Sequence, residues 1–194
     1  MSYDSKATRE RILAAATAEF AELGVAGARV DRIAAEAKAN KRAIYDYFGD
    51  KDALFGAVLE DQMVHCAEEV RIEGGDIGDY AERLFEYHTA NPTTLRLLMW
   101  EALEFGDRPV PAENDRGKKY RARVEAVMAT GVGEDDAAML VFVTLGLVNW
   151  GFVAPQLRRM VLGDDVSNER LHRMVVDAVR AIAESAAAHP GLVG

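Results

Sequence analysis

The sequence predicts an all-α chain of nine or ten helices, and three observations lead there. Apolar residues recur three and four positions apart along most of the 194 residues, the period of a helix burying one face. The strict apolar–polar alternation of a half-buried strand does not occur. Breaks bearing glycine or proline divide the chain into segments of helical length, and no internal repeat is visible.

The segments follow in order. Residues 8–23 carry Ile12, Leu13, Ala16, Phe20 and Leu23 at helical spacing, with Gly24 as a stop. Residues 30–37 form a short helix with Val30, Ile33, Ala34 and Ala37 on one face, and 38–40 form a tight turn. A second short helix spans 41–48, with Ile44, Tyr45 and Phe48 apolar. Gly49 and Asp50 end it, and Asp50 can cap the helix at 51–70, whose inward residues are Leu54, Phe55, Val58, Leu59 and Met63. After a break at 73–76, helices are expected at 77–90 and 92–105, the second opening on Pro92. Residues 106–117, with Pro109 and Pro111, read as a loop. A helix at 118–130 ends at the glycines 131 and 133. A long apolar helix covers 134–153, and Pro155 kinks or restarts it before Leu162. Ser167 and Asn168 open the last helix, which runs to Ala188 and is ended by His189, Pro190 and Gly191.

Composition bounds the function classes. The chain is 49% hydrophobic, with a mean hydropathy of -0.11, as expected of a globular chain with an ample core. The first residues, MSYDSKATRE, lack the apolar core of a signal peptide, and with the single Cys66 they fit a cytoplasmic protein. One cysteine makes neither an internal disulfide nor a structural zinc cluster. His65 and Cys66 are neighbours that point apart on a helix, so no metal or other cofactor is expected. The run 137–154 nears the length of a membrane span. It contains Thr144, Asn149 and two glycines and follows Glu134, Asp135 and Asp136, which favours a helix buried between subunits over a membrane partner.

Net charge is -9, unfavourable for non-specific DNA binding. The charge is uneven: residues 1–55 hold nine Lys/Arg and nine Asp/Glu, whereas 56–194 hold 14 against 23. Within 38–51, Lys38, Lys41, Arg42 and Lys51 face only Asp46 and Asp50. Three helices in the first 50 residues, with a tight turn between the second and third, describe a helix-turn-helix. Phe20, Leu23, Ile33, Ala34, Ile44 and Phe48 can form its mini-core. That leaves Lys41, Arg42, Ala43, Tyr45, Asp46 and Tyr47 for the major groove of double-stranded DNA.

These residues resemble the TetR family of repressors. Ile12-Leu13, Ala15-Ala16, Phe20 and Gly24 are followed by Val30, Ile33-Ala34 and Ala37, then by Ala43-Ile44-Tyr45, Tyr47-Phe48, Lys51 and Leu54-Phe55. The resemblance covers about residues 8–59 and implies a DNA-binding domain at 1–50 and a ligand-binding and dimerisation domain at 51–194. It implies base or phosphate contacts from Lys41 and Arg42, a capping and backbone role for Asn40, and phosphate contacts from Tyr47 and Lys51. Tyr45 is divided between packing and phosphate contact. Lys38 stands where the family usually has glycine, and Ala28 and Arg29 where it usually has Thr or Ser. Both departures place a cation, Lys38 or Arg29, within reach of phosphate. The bland alternative makes Tyr45 and Tyr47 packing residues and the lysines solubilising.

The last helix carries one stripe of Leu171, Met174, Val175, Ala178 and Ile182, and a second of Val176, Val179 and Ala183. One stripe can face the core of its own subunit; the other, with Val143 and Leu147 of the apolar helix, suits a four-helix homodimer interface. Such a dimer matches a palindromic operator. Tyr87, Met99, Trp100, Phe105, Phe142 and Trp150 are candidates to line a pocket for an unidentified small-molecule effector, with ordinary core packing as the alternative. No nucleophile–base set or phosphate loop appears, so an enzyme is not expected; a helical carrier or an interaction module are the rival classes. Repression is expected over activation, which operator position decides.

Overall fold

A computed structural model describes residues 2–188, and side chains from Ser5 onward. The described residues form ten α-helices and no strand: α1 (Ser2–Gly27), α2 (Val30–Glu36), α3 (Lys41–Phe48), α4 (Lys51–Glu69), α5 (Ile77–Ala90), α6 (Pro92–Phe105), α7 (Glu113–Met128), α8 (Glu134–Val153), α9 (Pro155–Leu162) and α10 (Asn168–Ala188). The expected end of the last helix at His189–Gly191 lies outside the described residues.

The helices fall into two compact units. One takes the chain up to His65 together with Arg96–Asn114, the other Cys66–Leu95 and the chain from Asp115 onward. The boundaries lie inside α4, α6 and α7, so continuous helices pass from one unit to the other.

The first unit is built on the apolar spacing of α1 to α4. Ile12, Ala16, Phe20, Ile33, Ile44, Leu54, Phe55, Val58 and Leu59 are at most 1% exposed. Phe20 meets Phe55 edge-on at 5.2 Å between centroids, and Phe105 stacks on the other ring at 6.4 Å. Burial of one such ring contributes about 2–3 kcal/mol. Gly24 breaks α1 with φ 69 and ψ 179, which only glycine adopts without strain. The break is also a close approach: a Cβ there would stand 2.7 Å from the Trp100 ring, whose Nε1 donates to the Ala21 carbonyl at 3.2 Å.

The second unit packs α5, α8 and α10 together. Tyr80, Ala81, Leu84, Phe85, Ala137, Leu140, Val141, Val148 and Val179 form its core. Phe85 sits between Phe152 at 4.8 Å and the stacked imidazole of His172 at 4.5 Å. On α8 the buried residues Ala137, Leu140, Val141, Thr144 and Val148 make a single stripe of helical period. The opposite side leaves Met139, Phe142 and Trp150 exposed. Length and apolar composition alone would let α8 cross a membrane. Glu134, Asp135 and Asp136 open it, complementing the positive end of the helix dipole.

The stretch over 106–117 differs from the sequence expectation, and at Pro155 the chain restarts rather than kinks. The loop expected over 106–117 ends early, because α7 already starts at Glu113. The Glu113 carboxylate accepts the Val110 amide at 3.1 Å, and Ala112 turns the chain with φ 56, so the prolines lead into a helix. Pro155 starts a separate helix, α9, in the first-turn position where its missing N–H costs nothing.

Candidate DNA-binding surface and ligand cavities

The connection from α2 to α3 is a Schellman turn. The Ala39 amide donates to the Ala34 carbonyl at 2.9 Å and the Lys38 amide to Ala35 at 3.2 Å. Lys38 takes the left-handed position that glycine usually fills, at φ 50. Asn40 then caps α3: its Oδ1 accepts the Arg42 amide at 2.8 Å. Asp50 does the same for α4, accepting the Ala53 amide at 2.7 Å. Short polar side chains at both starts thus satisfy amides that the helix cannot.

The start of α2 carries no side-chain cap, but it is tied to α1 in a way that the sequence did not reveal. Glu19 of α1 accepts the Arg29 amide at 2.8 Å and the Arg32 Nε at 2.8 Å. Burial is the largest single influence and works against the charge of this carboxylate. The hydrogen bonds from Arg32 and the Arg29 amide and the charges of both arginines together outweigh it, and the pKa lies below its usual value. Glu19 precedes Arg29 by ten residues, and only the packing of α1 on α2 brings them together. Arg11 adds a second tie, donating to the Ala37 carbonyl at 3.1 Å.

On α3 only Ile44 is fully buried. Lys41, Arg42, Tyr45, Asp46 and Tyr47 are exposed, and Ala43 and Phe48 are half-buried. Tyr45 and Tyr47 are 43% and 39% exposed, so both hydroxyl-bearing rings stand at the surface. Lys41 pairs with Asp31 at 2.8 Å, which lowers the carboxyl pKa and raises that of the ammonium. Arg42 pairs more loosely with Asp46 at 3.8 Å. Both pairs are solvated and therefore weak, and a phosphate can displace them. Arg29, Lys38 and Lys51 make no ion pair among the described residues. The eight candidate residues fall at the N-cap of α2, in the turn from α2 to α3, on α3 and at the start of α4.

The six pocket candidates are divided between the two units. Phe142 and Trp150 line one open apolar groove of about 590 Å³, with Tyr120, Leu145 and Asn149. Tyr87 is a core residue, 7% exposed, whose phenol burial pushes up. Met99, Trp100 and Phe105 belong to the other unit, where Trp100 and Phe105 pack on Gly24 and Phe55. A second hollow of about 440 Å³ lies beside Leu147, Trp150, Leu171 and Val175. Of the interface candidates, Met174 is 60% and Ile182 38% exposed, whereas Val143, Leu147, Leu171, Val175 and Ala178 are half-buried. The other stripe of α10 supplies Val176 and Val179 to the core.

His65 and Cys66 diverge as their spacing requires: His65 is exposed near Asp61, at 3.9 Å, and Cys66 is buried. Burial pushes the thiol up to about 11, far from the thiolate that redox or metal chemistry needs.

A capped, exposed helix held over a mini-core by a tight turn defines a helix-turn-helix regulator. Comparison with known proteins gives the family. Residues 12–58 match the family described as bacterial regulatory proteins, tetR family, and residues 76–181 match the tetracyclin repressor-like C-terminal domain. The HTH-type transcriptional repressor SCO4008 of Streptomyces coelicolor is 43% identical over 187 residues, 93% of this chain and 97% of the relative. The HTH-type transcriptional repressor NicS of Pseudomonas putida is 30% identical over 142 residues, 66% of this chain and 67% of the relative. The crystal structure of the transcriptional regulator SCO4942 of Streptomyces coelicolor superposes with a TM-score of 0.75 at 27% identity, covering 90% of this chain and 97% of that one. The chain belongs to the TetR family of transcriptional regulators, and its work is the regulation of transcription rather than catalysis.

Proposed function

We propose that the protein is a cytoplasmic repressor that binds a palindromic operator as a homodimer and releases it on binding a small molecule. Residues 1–50 are its DNA-binding domain and 51–194 its ligand-binding and dimerisation domain. The observation that carries the reading is the surface of α3: Lys41, Arg42, Tyr45 and Tyr47 stand exposed together on a capped helix behind a tight turn. An enzyme or carrier has no use for that surface. Repression is supported by the names of the relatives SCO4008 and NicS.

Arg42 meets a base edge, where its fork suits guanine. Lys38, Lys41, Lys51 and Arg29 meet phosphates, as do the Tyr47 hydroxyl and, beside its packing role, Tyr45. Asn40 positions the helix by capping it. Lys51 opens α4, so the dipole of that helix adds to its pull on an anion. Because α4 runs from one unit into the other, a ligand that binds the second unit better in one position of α4 shifts the spacing of the recognition helices.

The test is binding to the DNA upstream of the protein's own gene, and to operators selected from random duplexes, at two salt concentrations. Wild type binds tightly and loses affinity steeply with salt. Arg42→Ala weakens specific binding by roughly 1–3 kcal/mol and relaxes sequence preference; Tyr47→Ala weakens it without changing preference. If no selected duplex is bound better than a random one, the proposed function is wrong.

A further inference from the structure

The second unit is strongly acidic in sequence, yet one place in it gathers cations that no carboxylate meets within ion-pair distance; Asp115, which is held by Lys118 at 2.6 Å, acts on Lys119 only from farther away. Lys119 and Arg123 stand one turn apart on the same face of α7. With Arg71 they line a cavity of about 290 Å³ whose other walls include Ala67, Val70 and Ile72. Arg123 is 8% exposed, and its guanidinium lies 5.9 Å and 5.4 Å from the ring centres of Tyr80 and Tyr120. One Nη donates to the Lys119 carbonyl at 3.2 Å, while Nε is buried with no acceptor. The Lys119 Nζ is shielded from solvent and likewise has no acceptor. Neither cation pairs with a carboxylate among the described residues; Glu73, beside Arg71 in sequence, is held by Arg83 at 3.3 Å.

Charges withdrawn from water are costly unless a counter-charge meets them. Like charges one turn apart add to the cost. Cation–π contact offsets part of it for Arg123 and supplies no acceptor for either donor. What the cavity lacks is an anion, and its aliphatic walls ask that the anion carry a short apolar body.

We propose that this cavity is an anion site and that the effector of the regulator is a small organic carboxylate. The carboxylate bridges Lys119 Nζ and Arg123 Nε, Arg71 attracts it at the mouth, and its apolar part lies against Val70 and Ile72. The inference rests on the regulator reading above and is tested apart from it. Benzoate, benzamide and inorganic phosphate are titrated into the full chain without DNA, by calorimetry and thermal shift. Benzoate raises the Tm and binds at least about tenfold tighter than neutral benzamide, a difference of about 1.4 kcal/mol. Arg123→Gln and Lys119→Met each lose that preference, and Arg123→Lys retains part of it. Lys119→Met also raises the Tm of the empty protein, because it removes a shielded charge without a partner. Equal binding of benzoate and benzamide, binding indifferent to Lys119→Met, or no binding of benzoate overturns the proposal. Phosphate binding as tight as benzoate overturns its organic half. Operator binding is scored on the same protein: operator without benzoate sinks this site alone, and benzoate without operator sinks the repressor reading alone.

Discussion

Lys38 shows how one side chain serves two demands. The Schellman turn requires the left-handed region at this position, and a side chain there costs roughly 1 kcal/mol relative to glycine. Lys38→Gly is therefore expected to raise stability in urea unfolding, by less than that amount because glycine also loosens the unfolded chain. If Lys38 meets phosphate, the same change lowers operator affinity and flattens its salt dependence by about one contact. An unchanged salt slope would remove Lys38 from the contact set. Glu19 is the complementary case. Glu19→Gln leaves an acceptor for the Arg29 amide but takes the charge from Arg32, so a loss of about 1 kcal/mol is expected. Glu19→Ala removes both and costs about 2 kcal/mol. Equal stability of the two variants and wild type would mean that α2 needs no help at its start.

At the scale of elements, much of the architecture could be read because its causes are local. The turn at 38–40 and the caps Asn40 and Asp50 depend on residues two or three apart, and all take the positions their spacing implies. The start of α7 is not legible in the sequence because Pro109, Pro111 and Gly117 look like a loop, while one carboxylate and one left-handed alanine begin a helix among them. The pocket candidates were less legible for a different reason. Aromatic content does not say which neighbour a ring will meet, and Trp100 and Phe105 are consumed by packing in the first unit. The cation pair at Lys119 and Arg123 gave no signal, since in sequence it is two of many solvated charges.

The packing of α5, α8 and α10 also sets a pH limit. His88 is 3% exposed, its ring lies edge-on to Phe152 at 6.0 Å, and its Nδ1 has no partner. Burial lowers its pKa to about 4 from the usual 6.5. The unfolded chain then binds the extra proton first, so stability is full above pH 6.5 and falls as pH drops toward 4. The loss reaches on the order of 3 kcal/mol at the acid end. Unfolding midpoints measured across this range should slope downward with acid, and His88→Leu should flatten the slope. A slope that survives the substitution would assign the acid sensitivity to other groups, Glu19 among them, whose lowered pKa gives the same sign below its usual 4.5.

At the scale of the whole molecule, the question is what covers α8 and α10. Phe142 is 73%, Trp150 60% and Met174 60% exposed, and with Met139 and Ile182 they leave far more apolar surface than isolated side chains would. The proposed function calls for a second copy as the cover, because two-fold symmetry would place two recognition helices on a palindrome. Trp150→Glu and Met174→Glu change exposed residues, so each variant should fold with wild-type helix content. Each should turn a dimer into a monomer by light scattering, since a carboxylate without a partner is expelled from an apolar interface. Operator affinity should fall about a hundredfold or more, the advantage of engaging two half-sites together, while contact with a single half-site persists at low salt. A wild-type chain that is monomeric at concentrations where it binds operator would break the link between this face and DNA. A dimer that survives both substitutions would place the interface elsewhere on the chain and leave the open α8 face for another occupant.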